Sequence, residues 1–190
     1  MSYSFHYDTE TTGFPDWKQP SGSDSQPHIV QLAALLIDNT TRKTIASIDV
    51  IIKPNGWVIP EEVSDIHGIT TEHALAVGIP EQEAVAMLLE LRSDHERVAY
   101  NKTFDQRIIR IALKRFFDEE DIEKWAVKDD HHCSMRLARE ALGGKQPKLI
   151  DAYQALCGKE LINAHTAMAD AQASAEVYFA ALDALSTKAA

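Results

Sequence analysis

Hydrophobic and polar positions divide the first third of the chain into three extended segments. Aromatic residues in Ser4–Gly13 lead into two acids and a Thr-Thr-Gly turn, whereas Ile29–Asp38 and Thr44–Lys53 are apolar and rich in β-branched residues. The polar run Asp38-Asn39-Thr40-Thr41 separates the last two segments, and Pro54-Asn55-Gly56 follows them. This pattern predicts three consecutive strands that pair as an antiparallel meander.

The pattern changes to short helical segments after residue 60. Three helices are predicted: one that starts at Glu61 and runs into a turn at Gly68, one capped by Thr70 or Thr71, and one over Glu81–Leu91. A short strand is then predicted before the next helix. From here the hydrophobic period alternates between that of a strand and that of a helix.

Alternation of strand and helix continues to the end of the chain. The short strand is Val98–Asn101, and Thr103 with Gln106 forms a capping-box pattern that predicts a helix from Phe104 to about Phe117. Residues 117–130 are acidic and are predicted to be partly irregular. Further helices are predicted at Ser134–Leu142, Lys148–Leu156 and Ala167–Leu185, the last of which is rich in alanine.

This order of elements indicates an α/β fold with a mixed β-sheet. Strands come first and helices then alternate with a strand, which favours one domain over residues 1–190. A formal net charge of −10 argues against a general nucleic-acid coat protein, which would present a basic surface. It does not exclude an enzyme that admits one strand end to an acidic cleft, because bound cations reverse the local field.

Cysteine content and hydropathy predict a cytoplasmic protein. Cys133 and Cys157 are too few for a disulfide framework, which favours a reducing compartment. The N-terminal residues have neither the basic segment nor the apolar run of a signal peptide, and no stretch has the length of a membrane span.

Two acids on the first predicted strand are the first candidates for chemistry. Asp8 and Glu10 are two residues apart, so on a strand both side chains lie on one face. Their repulsion and desolvation would be relieved by a hard divalent cation such as Mg²⁺. Two interpretations follow: a metal site, or an exposed edge strand whose acids are solvated.

Three later polar residues could join them. Asp105 lies in the first turn of the predicted central helix, where an acid also stabilises the helix dipole without any metal. His165 and Asp170 flank the start of the last helix and would diverge by roughly 140° on one continuous helix. If His165 precedes the first turn, both side chains can face one cleft; a structural histidine is the alternative.

Taken in order, these segments resemble a known family. Asp-x-Glu-Thr-Thr-Gly from Asp8, Asn-x-x-Phe-Asp ending at Asp105, and His-x-Ala-x-x-Asp from His165 are similar to the motifs of the DEDDh 3′→5′ exonucleases. The segment Ile66-His67-Gly68-Ile69-Thr70 resembles the branch that contains the proofreading epsilon subunit of bacterial DNA polymerase III. The resemblance implies a ribonuclease-H-like fold in which an antiparallel meander is extended by parallel strands and flanked by helices.

The resemblance also implies roles for individual residues. Asp8, Glu10, Asp105 and Asp170 would hold two Mg²⁺ or Mn²⁺ ions, and His165 would act as the general base. A neutral histidine suits that role, because its reference pKa of about 6.5 lies close to neutral pH. Contacts with the terminal nucleotide are implied for Thr11, Thr12, Glu62, His67, Asn101 and Phe104.

The implied function is metal-dependent hydrolysis of the 3′-terminal phosphodiesters of single-stranded DNA to nucleoside 5′-monophosphates. Two alternatives stay open: an exoribonuclease that trims RNA 3′ ends, and a non-catalytic subunit associated with a polymerase. The expected partners are nucleic acid with a free 3′ end and a polymerase or repair protein. Because little sequence follows Asp170, where epsilon subunits carry a polymerase-binding tail, we expect a stand-alone exonuclease acting in repair, recombination or nucleotide salvage.

Other polar segments receive weaker interpretations. His131-His132-Cys133 does not predict a zinc site, because adjacent side chains do not easily share a tetrahedral ion and no Cys-x-x-Cys partner exists. Arg107, Arg110 and Lys114 form a stripe that either binds phosphates or is simply a solvated helix face. Residues 14–27 are predicted as a surface loop in which Trp17 either stacks on a base or is partly tucked away.

Overall fold

A five-stranded mixed sheet forms the centre of residues 2–189, the part of the chain described by a computed structural model. Its strands are β1 (Tyr3–Thr11), β2 (Ile29–Asp38), β3 (Thr44–Ile51), β4 (Glu96–Ala99) and β5 (His131–Cys133), in the spatial order β3-β2-β1-β4-β5. β1, β2 and β3 pair antiparallel, and β4 is parallel to β1 on one side and to β5 on the other. The predicted meander extended by parallel strands is therefore confirmed.

Eight helices cover this sheet within the described residues. They are α1 (Glu61–His67), α2 (Thr71–Val77), α3 (Glu81–Arg92), α4 (Lys102–Phe116), α5 (Glu119–Ala126), α6 (Ser134–Leu142), α7 (Leu149–Cys157) and α8 (Ala167–Ala189). The predicted turn after α1 is confirmed, because Gly68 ends that helix with a φ of 77°. Thr70 caps α2 by accepting a hydrogen bond from the amide of His73. Across residues 2–189, no helix combines the length and the apolar character that crossing a membrane requires.

Strand β2 is buried on both faces, which explains why its sequence is apolar without strict alternation. Leu32 and Ala34 pack into a core formed with α3, α4 and α5. Leu35 and Ile37 point to the other face and pack against α8. The helices therefore lie in two layers, with α4 and α8 on opposite sides of the central strands.

The start of α4 differs from the predicted one. The helix begins at Lys102, two residues before the predicted Phe104, so Thr103 lies inside the first turn and does not cap it. The N-cap residue is Asn101, which makes no side-chain capping hydrogen bond. Its carbonyl oxygen instead accepts a hydrogen bond from the amide of Phe104 at 2.9 Å. The capping-box prediction was therefore wrong.

The acidic segment between α4 and α6 is more regular than predicted. Asp118 caps α5 by accepting a hydrogen bond from the amide of Asp121. Trp125 is fully buried, and its ring lies 4.3 Å from the guanidinium carbon of the buried Arg97. The helix α5 is anchored by two buried residues, Ile122 and Trp125, and most of its other positions are polar. Hydropathy alone therefore does not predict this helix.

The His131-His132-Cys133 segment is the strand β5, which the sequence pattern did not predict. It pairs in parallel with β4, with His132 opposite Val98. A strand of three residues gives no usable alternation, and its partner is more than thirty residues away in sequence. Its position beside β4 depends on tertiary pairing.

Candidate active site

Three acids meet at the end of β1 that faces α8. Asp8 and Glu10 share one face of β1, and His6 on that face packs against Tyr178 and Phe179 of α8. Asp170 lies in the first turn of α8. Each of the three carboxylates offers an oxygen, and these oxygens all lie within 4.8 Å of one another. The structure thus brings together three of the four acids expected from the sequence.

A glutamine in β2 holds the start of α8 beside these acids. Gln31 lies directly opposite Glu10 in the β1–β2 register. Its Oε1 accepts a hydrogen bond from the amide of Ala167 at 3.0 Å, and its Nε2 donates to Asp49 Oδ1 at 2.7 Å. Sequence reasoning did not single out Gln31. Its one signal was a lone amide side chain within the apolar run of β2.

Asp105 approaches β1 from α4, on the opposite side of the sheet from α8. Thr9 donates to it from its side-chain Oγ1 at 3.0 Å. Within residues 2–189, Asp105 is outside the group of three carboxylates that lie within 4.8 Å of one another. It remains close enough to be the strongest charged influence on Asp8. Thr9, which orients Asp105, was also missed at the sequence level.

The carboxylates make one another difficult to ionise. Burial raises the pKa of Asp8 well above its ordinary value, and the charges of Asp105, Asp170 and Glu10 raise it further. Burial, followed by the charges of Asp170 and Asp105, raises the pKa of Glu10 to about 8. Burial raises the pKa of Asp105 to about 7, against the opposing hydrogen bonds from Thr9. The cluster therefore lacks sufficient positive charge from the protein itself.

The donor set fits a hard divalent cation. Asp170 Oδ1 is buried and has no hydrogen-bond partner among the described residues. Across residues 2–189, none of the ion pairs with lysine, arginine or histidine involves Asp8, Glu10 or Asp170. The group is made entirely of carboxylate oxygens, which suit Mg²⁺ and Mn²⁺ better than softer metals.

His165 lies in a constrained turn just before α8. Its φ is 67°, and Asn163 two residues earlier has a φ of 58°, so two residues other than glycine adopt left-handed backbone. The carbonyl oxygen of Asn163 accepts hydrogen bonds from the amide and hydroxyl of Thr166. Burial raises the pKa of the Asp170 carboxyl, and the backbone and charge of the neighbouring His165 oppose that rise. Left-handed backbone of this kind is concentrated at functional sites.

His165 precedes the first turn of α8, because that helix begins at Ala167. Its side chain is exposed, whereas Asp170 is half-buried. An exposed imidazole beside a partly buried acid is open to solvent and to a ligand. This arrangement gives His165 access to a water molecule that a buried histidine would lack.

Thr11 and Thr12 organise the turn that follows β1. Thr11 Oγ1 donates to the carbonyl oxygen of Gly13 at 2.8 Å. The amide of Thr12 donates a hydrogen bond to the carbonyl oxygen of His28 at 3.0 Å. Thr12 Oγ1 in turn accepts a hydrogen bond from the amide of His28 at 2.9 Å. Both hydroxyls are therefore engaged with the chain itself and fix the turn that follows β1.

His67 is buried with one ring nitrogen unpartnered. Its Nδ1 accepts a hydrogen bond from the amide of Ile69 at 3.1 Å, so in the neutral ring the proton resides on Nε2. Burial lowers the pKa of His67, which favours that neutral form. Nε2 is buried and has no partner among the described residues. The ring therefore holds one unused hydrogen-bond donor.

The other predicted contacts are more open. Glu62 on α1 and Asn101 at the start of α4 are exposed. Phe104 is half-buried, and its ring makes an edge contact with Phe14 at 6.0 Å between centroids. Phe104 thus links α4 to the loop that follows β1.

Comparison with known proteins gives one family and several relatives. The family model RNase_T, described as Exonuclease, matches residues 5–178. The chain is 32% identical over 182 residues to the DNA polymerase III subunit epsilon of Salmonella typhimurium, which covers 91% of this chain and 68% of that protein. It is 28% identical over 187 residues to a DNA polymerase III subunit epsilon-like protein of Rhodobacter capsulatus, which covers 96% of this chain and 24% of that protein.

A similar solved structure is that of E. coli exonuclease I in complex with a dT13 oligonucleotide. The TM-score is 0.71 at 25% sequence identity, and the match covers 96% of this chain and 41% of exonuclease I. The chain therefore spans about a quarter of the Rhodobacter relative and about two fifths of exonuclease I. In both, the similarity is confined to part of a longer protein.

Proposed function

Because the chain belongs to the DEDD family of 3′→5′ exonucleases, we propose that it hydrolyses the 3′-terminal phosphodiesters of single-stranded DNA and releases nucleoside 5′-monophosphates. The observation that carries this proposal is the meeting of Asp8, Glu10 and Asp170 within 4.8 Å. Three buried or half-buried acids without a basic partner are costly unless cations are bound. The relatives' links to DNA polymerase III and to an oligodeoxynucleotide complex support DNA as the substrate.

We assign Asp8, Glu10 and Asp170 as the residues that would hold Mg²⁺ or Mn²⁺, with Asp105 as the fourth acid of a two-ion site. When bound, such ions promote ionisation of the attacking water and stabilise negative charge on the phosphate and the leaving oxygen. The protein's part is to fix the acids: Thr9 holds Asp105, and Gln31 holds the helix that carries Asp170.

We assign His165 as the general base of a DEDDh-type site. Its exposed ring can take a proton from water and pass it to solvent, and it lies close enough for its charge to lower the pKa of Asp170 against the effect of burial. The left-handed backbone at His165 directs the residue away from the regular helix that starts at Ala167. The alternative, a structural histidine, is better served by a buried and hydrogen-bonded ring.

We assign the 3′-terminal nucleotide to the surface beside these residues. His67 Nε2–H would donate to an oxygen of the nucleotide, which would satisfy the buried donor. Phe104 would contact the terminal base, and Thr11, Thr12, Glu62 and Asn101 would line the rim. Proofreading or repair of DNA is the corresponding biological role, with a polymerase or repair protein as a partner. The free thiols Cys133 and Cys157 support a cytoplasmic location.

Digestion of a 5′-labelled oligonucleotide tests metal need, polarity and substrate together. With Mg²⁺ or Mn²⁺, we expect a ladder of labelled products that shorten from the 3′ end, and no cleavage in EDTA. Immediate release of labelled mononucleotide would indicate the opposite polarity and would contradict the proposal. Parallel digestion of an RNA of the same sequence compares the rates at which the enzyme degrades DNA and RNA. Faster loss of the RNA would favour the exoribonuclease alternative.

The raised pKa values predict that metal stabilises the protein more as the pH rises. Unfolded Asp and Glu release their protons near pH 4, whereas folded Glu10 and Asp105 retain theirs to about pH 8 and about pH 7. Between these limits the folded state therefore binds more protons than the unfolded state. The free energy of unfolding of the metal-free protein falls as the pH rises through this range. We expect the gap in Tm between Mg²⁺ and EDTA to widen from pH 5 to about pH 9. A gap independent of pH would contradict this assignment of the acids.

A further inference from the structure

The loop after β1, residues 14–27, is fixed along the outward face of α4. Gln26 is buried, and its Nε2 donates to the carbonyl oxygens of Asp16, Gln19 and Pro20. Arg115 donates to the carbonyl oxygens of Gln26 and Pro27 from the helix side. Arg107 donates to the carbonyl oxygen of Gln19 at 2.5 Å. The loop therefore has a defined conformation and forms a joint surface with the helix.

This joint surface is basic in a protein of net charge −10. Arg107, Arg110 and Lys114 lie within about 60° of one another around the helix axis. With the loop residues 19–23, they line a cavity of about 680 Å³. Lys114 pairs with the exposed Glu119 at 3.0 Å, whereas Arg110 is exposed and has no side-chain partner among the described residues. Positive charge here exceeds what the loop and helix neutralise.

Two aromatic side chains lie on the same surface and remain exposed. Phe14 is 87% exposed and touches the ring of Phe104 by an edge contact. Trp17 is 55% exposed, and the Arg107 guanidinium carbon lies 5.8 Å from the centre of its ring. Exposed aromatic rings beside arginines are the surface on which single-stranded nucleic acid stacks.

The surface begins at the end of α4 that carries Asp105. Phe104 precedes Asp105 in α4, and the helix rises roughly 15 Å from Phe104 to Lys114. At 3.4 Å per stacked nucleotide, this distance corresponds to roughly four nucleotides. A strand that passes from the start of α4 over Phe14 and Trp17 would reach the basic side chains within that length.

We propose that Phe14, Trp17, Arg107, Arg110 and Lys114 form a strand-binding track for the single-stranded DNA that precedes the 3′-terminal nucleotide. The aromatic rings stack on bases, and the basic side chains contact phosphates. The inference rests on the proposed function, because the acidic site fixes where the 3′ end lies. A solvated helix face would explain the arginines but not the two exposed rings beside them.

The experiment compares Trp17→Ala and Arg110→Gln with wild type on a 12-nucleotide strand and on a dinucleotide. We expect the ratio of kcat/KM for the long substrate to that for the dinucleotide to fall roughly 5- to 100-fold in Trp17→Ala. In Arg110→Gln, the slope of log kcat/KM against log salt should weaken by roughly 0.7. Arg139→Gln is the matched control, because Arg139 is also an exposed helical arginine and lies on α6. Its ratio and slope should equal those of wild type.

Binding of the labelled 12-nucleotide strand in EDTA, measured by fluorescence anisotropy, separates this inference from the proposed function. Weaker binding by both variants at unchanged Tm supports the track, whether or not the wild type hydrolyses DNA. A wild type that hydrolyses nothing would refute only the exonuclease assignment. If both variants bind and discriminate by length as wild type does, the track is refuted while hydrolysis stands. A Trp17→Phe variant retains a ring and should recover part of the lost binding, whereas equal loss in Trp17→Phe and Trp17→Ala would overturn the stacking role.

Discussion

The Asp8→Asn variant is expected to lose more than roughly 10³-fold in kcat and to unfold at a higher temperature than wild type in metal-free buffer at pH 8. The loss of activity would follow because one of the three clustered carboxylates proposed as metal ligands is removed. The gain in stability follows because burial and three neighbouring acids raise the pKa of Asp8 well above its ordinary value. Asparagine carries no ionisable group, so it removes the cost of ionising a buried acid beside three others.

Thermal melting and single-turnover digestion together test this variant. Mg²⁺ should raise the Tm of Asp8→Asn much less than that of wild type, because the variant binds the ions more weakly. Asp94→Asn is a suitable control, since Asp94 is an exposed acid outside the cluster and its loss should change neither quantity. An Asp8→Asn protein that is inactive because it is unfolded would refute the prediction.

The second large effect is expected from His165. Replacing it with asparagine should reduce kcat by roughly 10²–10⁴ and change KM far less, because the base acts in the chemical step. Asparagine is preferred to alanine here, since the residue has a φ of 67° and asparagine adopts left-handed backbone readily. The Mg²⁺-dependent rise in Tm should persist, because the proposed ligands of the ions are the carboxylates and not the imidazole.

The rate of the His165→Asn variant should recover in part as the pH rises, because hydroxide then replaces the missing base. His73→Ala serves as the control, because His73 is an exposed histidine on α2 and its substitution should leave kcat unchanged. A purely structural His165 would give a different result: a lower Tm with a single-turnover rate close to that of wild type at every pH.

Predictions from sequence were best where periodicity is strong. The face shared by Asp8 and Glu10 follows from the two-residue repeat of a strand, and the strand β2 follows from its apolar, β-branched run. The start of α8 after His165 follows from the alanine-rich pattern. These features depend on local sequence, and for that reason they could be read without the structure.

Contacts between distant segments could not be predicted in the same way. Thr9 bonds to Asp105, and Gln31 bonds to Ala167, across 96 and 136 residues respectively. Both contacts depend on which residue faces which once the layers pack, and neither threonine nor glutamine has a pattern that marks such a role. The strand β5 and the start of α4 were missed for a related reason, since tertiary pairing and backbone hydrogen bonds decide them.

The two hydrogen bonds of Gln31 have a consequence for the energetics of ion binding. One side chain joins Asp49 in β3, the strand β2 itself and the first amide of α8, so the helix that carries Asp170 is held before any ion arrives. Ordering a helix during binding would reduce affinity, since the lost conformational entropy opposes association. Here that entropy is already lost when the protein folds. The free energy of ion binding is then available mainly to offset the repulsion among the carboxylates.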